Sequence, residues 1–250
     1  MAVNIDQCYT YTSLRSQTDC NCFTMECSYS LALQIVGGCF LGYNLLSLVC
    51  RALTGVRAFV LPALGFKQDL RSFGSWAVVT GCTDGIGKSF AYQLAKEGIN
   101  LVLISRTKEK LQSLETEIQS VYKVETKIIE MDFSNGAEKY EGMEEKLAGL
   151  DIGILINNVG VSHYPEFFTN MSRENVWKML NVNDLSVIMM THMILPGMVS
   201  RRKGVVMNVS SRAGLEPMPL LSVYSSSKAF VDFFSECLAA EYADKGIIVQ

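Results

Sequence analysis

Tyr224 stands four residues before Lys228 in "SVYSSSKAF", at the start of an apolar stretch whose pattern predicts a helix. Residues four apart share a helix face, so a phenol and an ammonium become neighbours. The pair is either a reagent or two solvated side chains, and the chemistry it could do is proton transfer. A free phenol, with a pKa near 10, is about three units too weak an acid for work near neutrality. A cation about 4 Å away at an effective dielectric of about 20 favours the phenolate by roughly 4 kcal/mol, which makes up that difference. Spacing alone proves little in a chain with ten tyrosines, and "YQLAK" repeats it with Tyr92 and Lys96. What separates Tyr224 is company: "NVSSRAG" sets Ser211 thirteen residues upstream, at the strand end where open α/β sheets bind ligands.

A second group of residues suits an anion. "VVTGCTDGIGKSF" puts Gly81, Gly85 and Gly87 between a predicted strand and a predicted helix, where a pyrophosphate could approach backbone N–H groups at the positive helix end. The spacing G-x-x-x-G-x-G is not the common G-x-G-x-x-G. It is not a P-loop either, because residue 82 is Cys where that motif needs Gly. The next strand ends in "LISRT", where NAD binding would want a carboxylate for the adenosine 2′-hydroxyl, and none is there. Arg106 could instead pair with a 2′-phosphate, with Ser105 adding a donor. That favours NADPH over NADH, and reduction as the direction.

These residues need a scaffold, and from residue 75 the pattern supplies one. "WAVVT", "LVLIS", "KIIEM", "GILIN", "GVVMNVS" and "GIIVQ" are short, β-branched and bounded by Gly or polar residues, as strands are. Helical stretches lie between them at 86–97, 107–122, 138–148, 173–195 and 224–243. The alternation predicts an α/β fold, a doubly wound, Rossmann-like parallel sheet covered on both faces.

Composition narrows the function classes. With 250 residues, 49% of them hydrophobic, the chain can bury one substantial core. A formal charge of −3 and a pI near 5.5 give no basic field for nucleic acid. The only histidines, His163 and His192, have no ligand-spaced partner, so no metal site is expected. Six of the eight cysteines lie in the first 50 residues, and the main domain reads as reduced. Residues 1–26 form a polar lead and 27–50 an uncharged apolar run that is long enough to span a bilayer or to lie in its interface. Asp19 and Glu26 precede it, while Arg51, Arg57 and Lys67 follow, which orients the main domain toward the cytosol. Residues 51–74 read as a linker and 75–250 as the catalytic domain.

"TGCTDGIG", "NNVG" at 157–160, the serine-bearing strand end and Y-x-x-x-K, in this order and spacing, resemble the short-chain dehydrogenase/reductase family over roughly residues 75–250. Within it, "LISRT", "EKLAGLDIGILINNVG" and the apolar N-terminal run resemble the microsomal branch. That branch holds 17β- and 20β-hydroxysteroid dehydrogenases, very-long-chain 3-oxoacyl-CoA reductases and hydroxysteroid dehydrogenase-like relatives, some of which lack the tyrosine. This chain keeps it.

The resemblance implies Tyr224 as proton donor to a carbonyl, Ser211 as hydrogen-bond donor to the same oxygen, and Lys228 beside the phenol and on the cofactor ribose. Asn183, in "LNVNDLS", matches the asparagine that positions a water for proton relay. Gly81, Thr83, Asp84, Gly85, Ile86 and Gly87 match the pyrophosphate turn, and Ser105 and Arg106 the 2′-phosphate contact. Asp132 matches the adenine-contacting acid, and Asn158, Val159 and Gly160 the turn beneath the nicotinamide ribose. Ser210 is one residue out of register.

The implied substrate is a large hydrophobic ketone, a steroid in the first instance and a long-chain 3-oxoacyl-CoA as the alternative. "GVSHYPEFFTNMS" and "LEPMPLL" would line the entrance. The implied location is the endoplasmic reticulum membrane, with a mitochondrial membrane as alternative, and a homodimer is left open. Members of the family continue past the sixth strand, so the chain resembles one cut inside its fold. Two readings stand at this point: an NADPH-dependent reductase, or a catalytically inactive dehydrogenase-like protein that binds nucleotide or a partner.

Overall fold

Two apolar faces on every strand require cover on both sides of the sheet, and the computed structural model meets that requirement. It describes residues 33–56, 60, 64 and 69–250 and falls into two units, Met1–Gln68 and Asp69–Gln250. In the first unit, helix α1 (Leu33–Gly55) is long and apolar enough to cross a membrane, and its side chains are exposed. Asn44, the most polar interruption in its middle, donates its side-chain amide back to the Phe40 carbonyl at 2.7 Å, which removes much of its cost in an apolar setting. Helix α1 runs on to residue 55, and residues 27–32 of the expected anchor lie outside the described residues.

The second unit holds six parallel strands: β1 (Trp76–Thr80), β2 (Asn100–Ser105), β3 (Thr126–Glu130), β4 (Ile152–Asn157), β5 (Gly204–Asn208) and β6 (Ile247–Val249). Their order in the sheet is β3-β2-β1-β4-β5-β6. The chain winds outward from β1 to β3, returns to β4 beside β1, and continues the other way. Between β1 and β4 the crossovers therefore leave on opposite faces, opening a crevice at the C-terminal strand ends. Such an α/β sheet is Rossmann-like and doubly wound.

Alternate strand residues feed two cores, as the two-residue period demands. Ala77, Val79, Leu101 and Leu103 pack under α2 (Gly85–Lys96) and α3 (Lys108–Tyr122). Val78, Val102, Leu155 and Val206 face α6 (Ser186–Arg201) and α7 (Ser222–Tyr242) on the other side.

Two helical stretches differ from the expectation. The one at 138–148 breaks in two, because Gly142 takes a left-handed conformation at φ +72°, and only Met143–Leu147 (α4) is α-helical. The one at 173–195 runs to Arg201, carrying Pro196 inside α6. It also changes pitch. After α5 (Arg173–Met179), residues Leu180–Leu185 form a π-helical turn, in which the Ser186 N–H reaches back five residues to the Asn181 carbonyl. Turns of this kind insert one extra residue and occur often at functional sites.

Candidate active site

The glycine turn after β1 rests on left-handed backbone at two of its glycines and on close packing at a third. Gly81 sits at φ +63° and Gly85 at φ +51°, in the left-handed region that glycine tolerates. A Cβ on Gly87 would strike the Gly81 carbonyl and the Asn158 side-chain amide. Asp84 caps α2 by accepting the Gly85 N–H at 2.8 Å. Thr83 and Ser105 share a 2.8 Å hydroxyl hydrogen bond that ties the turn to the end of β2. Cys82, at the position that rules out a P-loop, is fully buried, and burial pushes its thiol up to about 12.

A cavity of about 360 Å³ opens above this turn, and most of the residues assigned to the cofactor converge on it: Gly81, Asp84, Gly85, Ser105, Arg106, Asp132 and the Asn158–Gly160 turn. Thr83, Ile86 and Gly87 are not on its wall. Ile86 is exposed, and Thr83 and Gly87 shape the turn from beneath.

Asp132 accepts the Ser134 N–H at 3.0 Å, and this bond, with Arg106 and Lys178 nearby, holds its carboxyl below the usual carboxylate range. Lys178 on α5 also lines the cavity. Its helical spacing in the sequence marks only a solvated face, so sequence reasoning passed over it. Thr80 was missed as well. Its buried hydroxyl accepts the N–H groups of Asn158 and Val159 at 3.0 and 3.1 Å, while the Asn158 amide bonds the carbonyls of Thr80 and Gly81. The Asn158 side chain therefore clamps the β1 and β4 turns together.

The remaining four residues, Ser211, Tyr224, Lys228 and Asn183, do not line this cavity. Ser211 follows β5 and accepts the Ala213 N–H at 3.2 Å, capping a short 3-10 turn. That bond uses an oxygen lone pair and leaves the hydroxyl proton free to be donated. Ser210 points elsewhere, donating to the Lys228 carbonyl at 3.1 Å. Tyr224 is half-buried in the first turn of α7. Lys228, one turn on, is only 5% exposed and donates from Nζ to the Val209 carbonyl at 2.9 Å. A Cβ on Gly160 would stand 3.5 Å from that Nζ, which fixes the ammonium between the β4 turn and the end of β5. Burial lowers its affinity for a proton, and the carboxylates of Asp184 and Asp232 partly restore it.

Asn183 is 1% exposed and its side chain is fully engaged. It accepts the Val161 N–H at 2.8 Å and donates to the Val161 carbonyl and to Ser227 Oγ, both at 3.0 Å. The amide therefore acts as a clamp between the β4 turn, the π-helical turn and α7.

The arrangement is a polar cavity at a topological switch point, with the glycine turn on its wall and the buried Lys228 ammonium beside Gly160 of its lining. Proton transfer coupled to a bound dinucleotide is the chemistry such a crevice can do.

Comparison with known proteins agrees. Residues 75–250 match the family model described as short chain dehydrogenase, and the chain belongs to that family of oxidoreductases. It is 46% identical over 233 residues to the inactive hydroxysteroid dehydrogenase-like protein 1 of Homo sapiens, covering 92% of this chain and 69% of that one. It is 53% identical over 201 residues to the very-long-chain 3-oxoacyl-CoA reductase-B of Danio rerio, covering 79% of this chain and 64% of the other. The solved short-chain dehydrogenase from Sphingobium yanoikuyae in complex with NADPH superposes with a TM-score of 0.66 at 29% identity, over 70% of this chain and 68% of that one.

Proposed function

We propose that this chain binds NADPH and reduces a ketone on a large hydrophobic substrate, a steroid in the first instance. The observation that carries the reading is the ammonium of Lys228, buried at the C-terminal edge of the sheet one helical turn from Tyr224. A chain that keeps an ammonium out of water works against the cost of desolvation, and a reaction that needs a cation there gives that cost a use.

The residues present fit a phosphorylated dinucleotide. The glycine turn and the N-terminus of α2 would take the pyrophosphate, Arg106 and Ser105 the 2′-phosphate, and Asp132 the adenine. Gly160 lines the cavity next to Lys228 Nζ, where the nicotinamide ribose would sit. The bound dinucleotide supplies a hydride. The side chains do the rest. Tyr224 gives its proton to the carbonyl oxygen as negative charge develops there, Ser211 donates a hydrogen bond to the same oxygen, and Lys228 stabilises the phenolate left behind. Asn183 holds the β4 turn and α7 at the spacing this requires.

The entrance supports a hydrophobic substrate. Tyr164, Phe167 and Phe168 on one segment and Leu215, Met218 and Leu220 on another are exposed, and the Glu166 N–H joins the two segments at the Leu220 carbonyl, 3.0 Å away. Glu166 and Glu216 stand among them with Arg212 as the one nearby cation of that segment. An acidic lip suits a neutral steroid better than the polyanionic head of a coenzyme A ester. Similarity to the Danio rerio reductase favours the acyl-CoA as second reading. Helix α1 would hold the domain at the cytosolic face of the endoplasmic reticulum membrane, into which either substrate partitions.

Titration of the detergent-solubilised chain with NADPH by nucleotide fluorescence, followed by assays on a 17-keto- or 20-ketosteroid and on a long-chain 3-oxoacyl-CoA, tests the reading. Turnover on the steroid is expected, lost in Tyr224→Phe with nucleotide binding retained. Binding without turnover on either class would favour the inactive, nucleotide-holding alternative suggested by the name of the human relative.

A further inference from the structure

Among the described residues, three other than glycine have left-handed backbone: Lys123 at φ +58°, Arg202 at φ +54° and Leu220 at φ +68°. Lys123 and Arg202 each close a helix, α3 and α6, where a left-handed residue is a common ending. Leu220 closes none. It lies in the turn that leads into α7 and is 40% exposed, so neither a helix end nor core packing accounts for a bulky side chain where glycine or asparagine fits with less strain. Strain of this kind persists where the surroundings over-determine it, and it gathers at working sites.

The surroundings of Leu220 do over-determine it. The Leu221 N–H closes the turn on the Met218 carbonyl at 3.2 Å, and the Met218 N–H reaches Ser225 Oγ at 3.4 Å. That hydroxyl donates in turn to the Ala213 carbonyl at 2.6 Å, while the Ala213 N–H binds Ser211 Oγ. Ser225 also gives its own N–H to the Leu221 carbonyl at 2.8 Å, in the first turn of α7 beside Tyr224 in the chain. The Leu220 carbonyl accepts the Glu166 N–H at 3.0 Å. Among the described residues this is the one hydrogen bond between segments 161–171 and 211–221, the two sides of the entrance. A single backbone conformation thus ties the entrance to both the hydroxyl and the phenol.

We propose that Leu220 is a positioning residue that acts through its backbone: its left-handed turn fastens segment 161–171 to the start of α7 and holds Ser211 and Tyr224 in register with the entrance. Its part in turnover rests on the reductase reading. Two roles for Leu220 predict opposite orders of substitution. If the side chain mattered as an apolar contact, isoleucine would replace it and asparagine would not. If the backbone matters, asparagine, which tolerates the left-handed region, replaces it, and isoleucine, branched at Cβ, does not.

The test uses the full chain in detergent with Leu220→Asn and Leu220→Ile. Hydrogen–deuterium exchange at the Glu166 amide, read by mass spectrometry with fragmentation to single residues, should be slow in the wild type and in Leu220→Asn and about tenfold or more faster in Leu220→Ile. The kcat for ketone reduction should fall by about tenfold or more in Leu220→Ile and stay nearer the wild-type value in Leu220→Asn. The Kd for NADPH should stay near its wild-type value in both, because the turn is not on the wall of the nucleotide cavity.

An Ile variant that protects Glu166 as well as the Asn variant does overturns the proposal, as does a wild-type Glu166 amide that exchanges like an open loop. Exchange in the expected order with the same kcat in both variants overturns the positioning role. The expected order in a protein that turns nothing over supports the fastening and sinks the reductase reading instead. Should Leu220→Ile fail to fold, Leu220→Asn carries the test. Relief of strain should slow Glu166 exchange below the wild-type rate, and unchanged or faster exchange overturns the proposal.

Discussion

The chain contains the same dipeptide spacing twice, and the two copies live in opposite surroundings. Tyr92 and Lys96 lie on α2, which starts at the glycine turn and runs away from it, so Lys96 ends the helix at the far edge of the sheet, exposed to water. Tyr92 turns toward α3, with its ring 6.4 Å from that of Tyr122 and Lys88 Nζ 5.5 Å above it. Burial and Glu117 raise its phenol, the wrong direction for an acid needed near neutrality. Tyr224 and Lys228 begin a helix that starts at the crevice, and Lys228 is buried there between Val209 and Gly160. The lesson is that the surroundings of a motif depend on the end of the sheet at which its helix places it. An ammonium at the C-terminal strand edge stands where open α/β sheets take their ligands, while one at the other edge meets solvent.

The comparison can be broken most directly at the two lysines. Lys228→Met should lower ketone reduction by about a thousandfold, the rate equivalent of three pKa units of lost phenolate support, whereas Lys96→Met should change it by less than about twofold. Equal losses would mean that the buried position has no special role.

Next come the two serines after β5. Ser211→Ala removes a donor aimed at the developing oxyanion and should cost about a hundredfold in kcat. Ser210→Ala removes only the bond to the Lys228 carbonyl and should cost about 1 kcal/mol of stability, read as a small fall in melting temperature.

Smaller again is the effect at the nucleotide end. Arg106→Leu should raise the Kd for NADPH by about tenfold or more and leave that for NADH nearly unchanged, measured by fluorescence titration.

The smallest effect concerns pH and stability. Because the Asp184 carboxyl is raised from 3.8 to about 7, the folded state binds more protons than the unfolded state between those values. Its contribution to stability is complete below pH 3.8 and is lost as the pH rises through about 7. Asp184→Asn should therefore flatten the decline in urea midpoint between about pH 5 and 7.5. Asp132, whose carboxyl is held below 3.8, acts in the opposite sense and only at lower pH, so it does not mask the effect.

The strands were legible because a parallel sheet covered on both faces needs continuous β-branched runs, and each run named from the sequence became a strand within a residue or two. The glycine turn was legible because φ near +60° has few residues that accept it. Contacts between distant residues were not. Nothing local says that Asn158 grips the Thr80 and Gly81 carbonyls, or that Asn183 reaches Ser227, because these bonds join residues about eighty and forty-four positions apart. Proline removes a helical donor, yet packing of Ile194, Leu195 and Met198 against the sheet carries the helix past Pro196 to Arg201. Gly142 had the reverse effect, splitting a stretch whose apolar spacing looked continuous.

The wide turn at Leu180–Leu185 has one consequence for how this chain can vary. An α-helix advances about 100° per residue, so the extra residue there offsets the azimuth of everything downstream by about that angle. Shortening the segment by a single residue would swing the Asn183 amide and the Asp184 carboxylate off their bearings together, which makes the length of this loop of backbone a requirement in its own right.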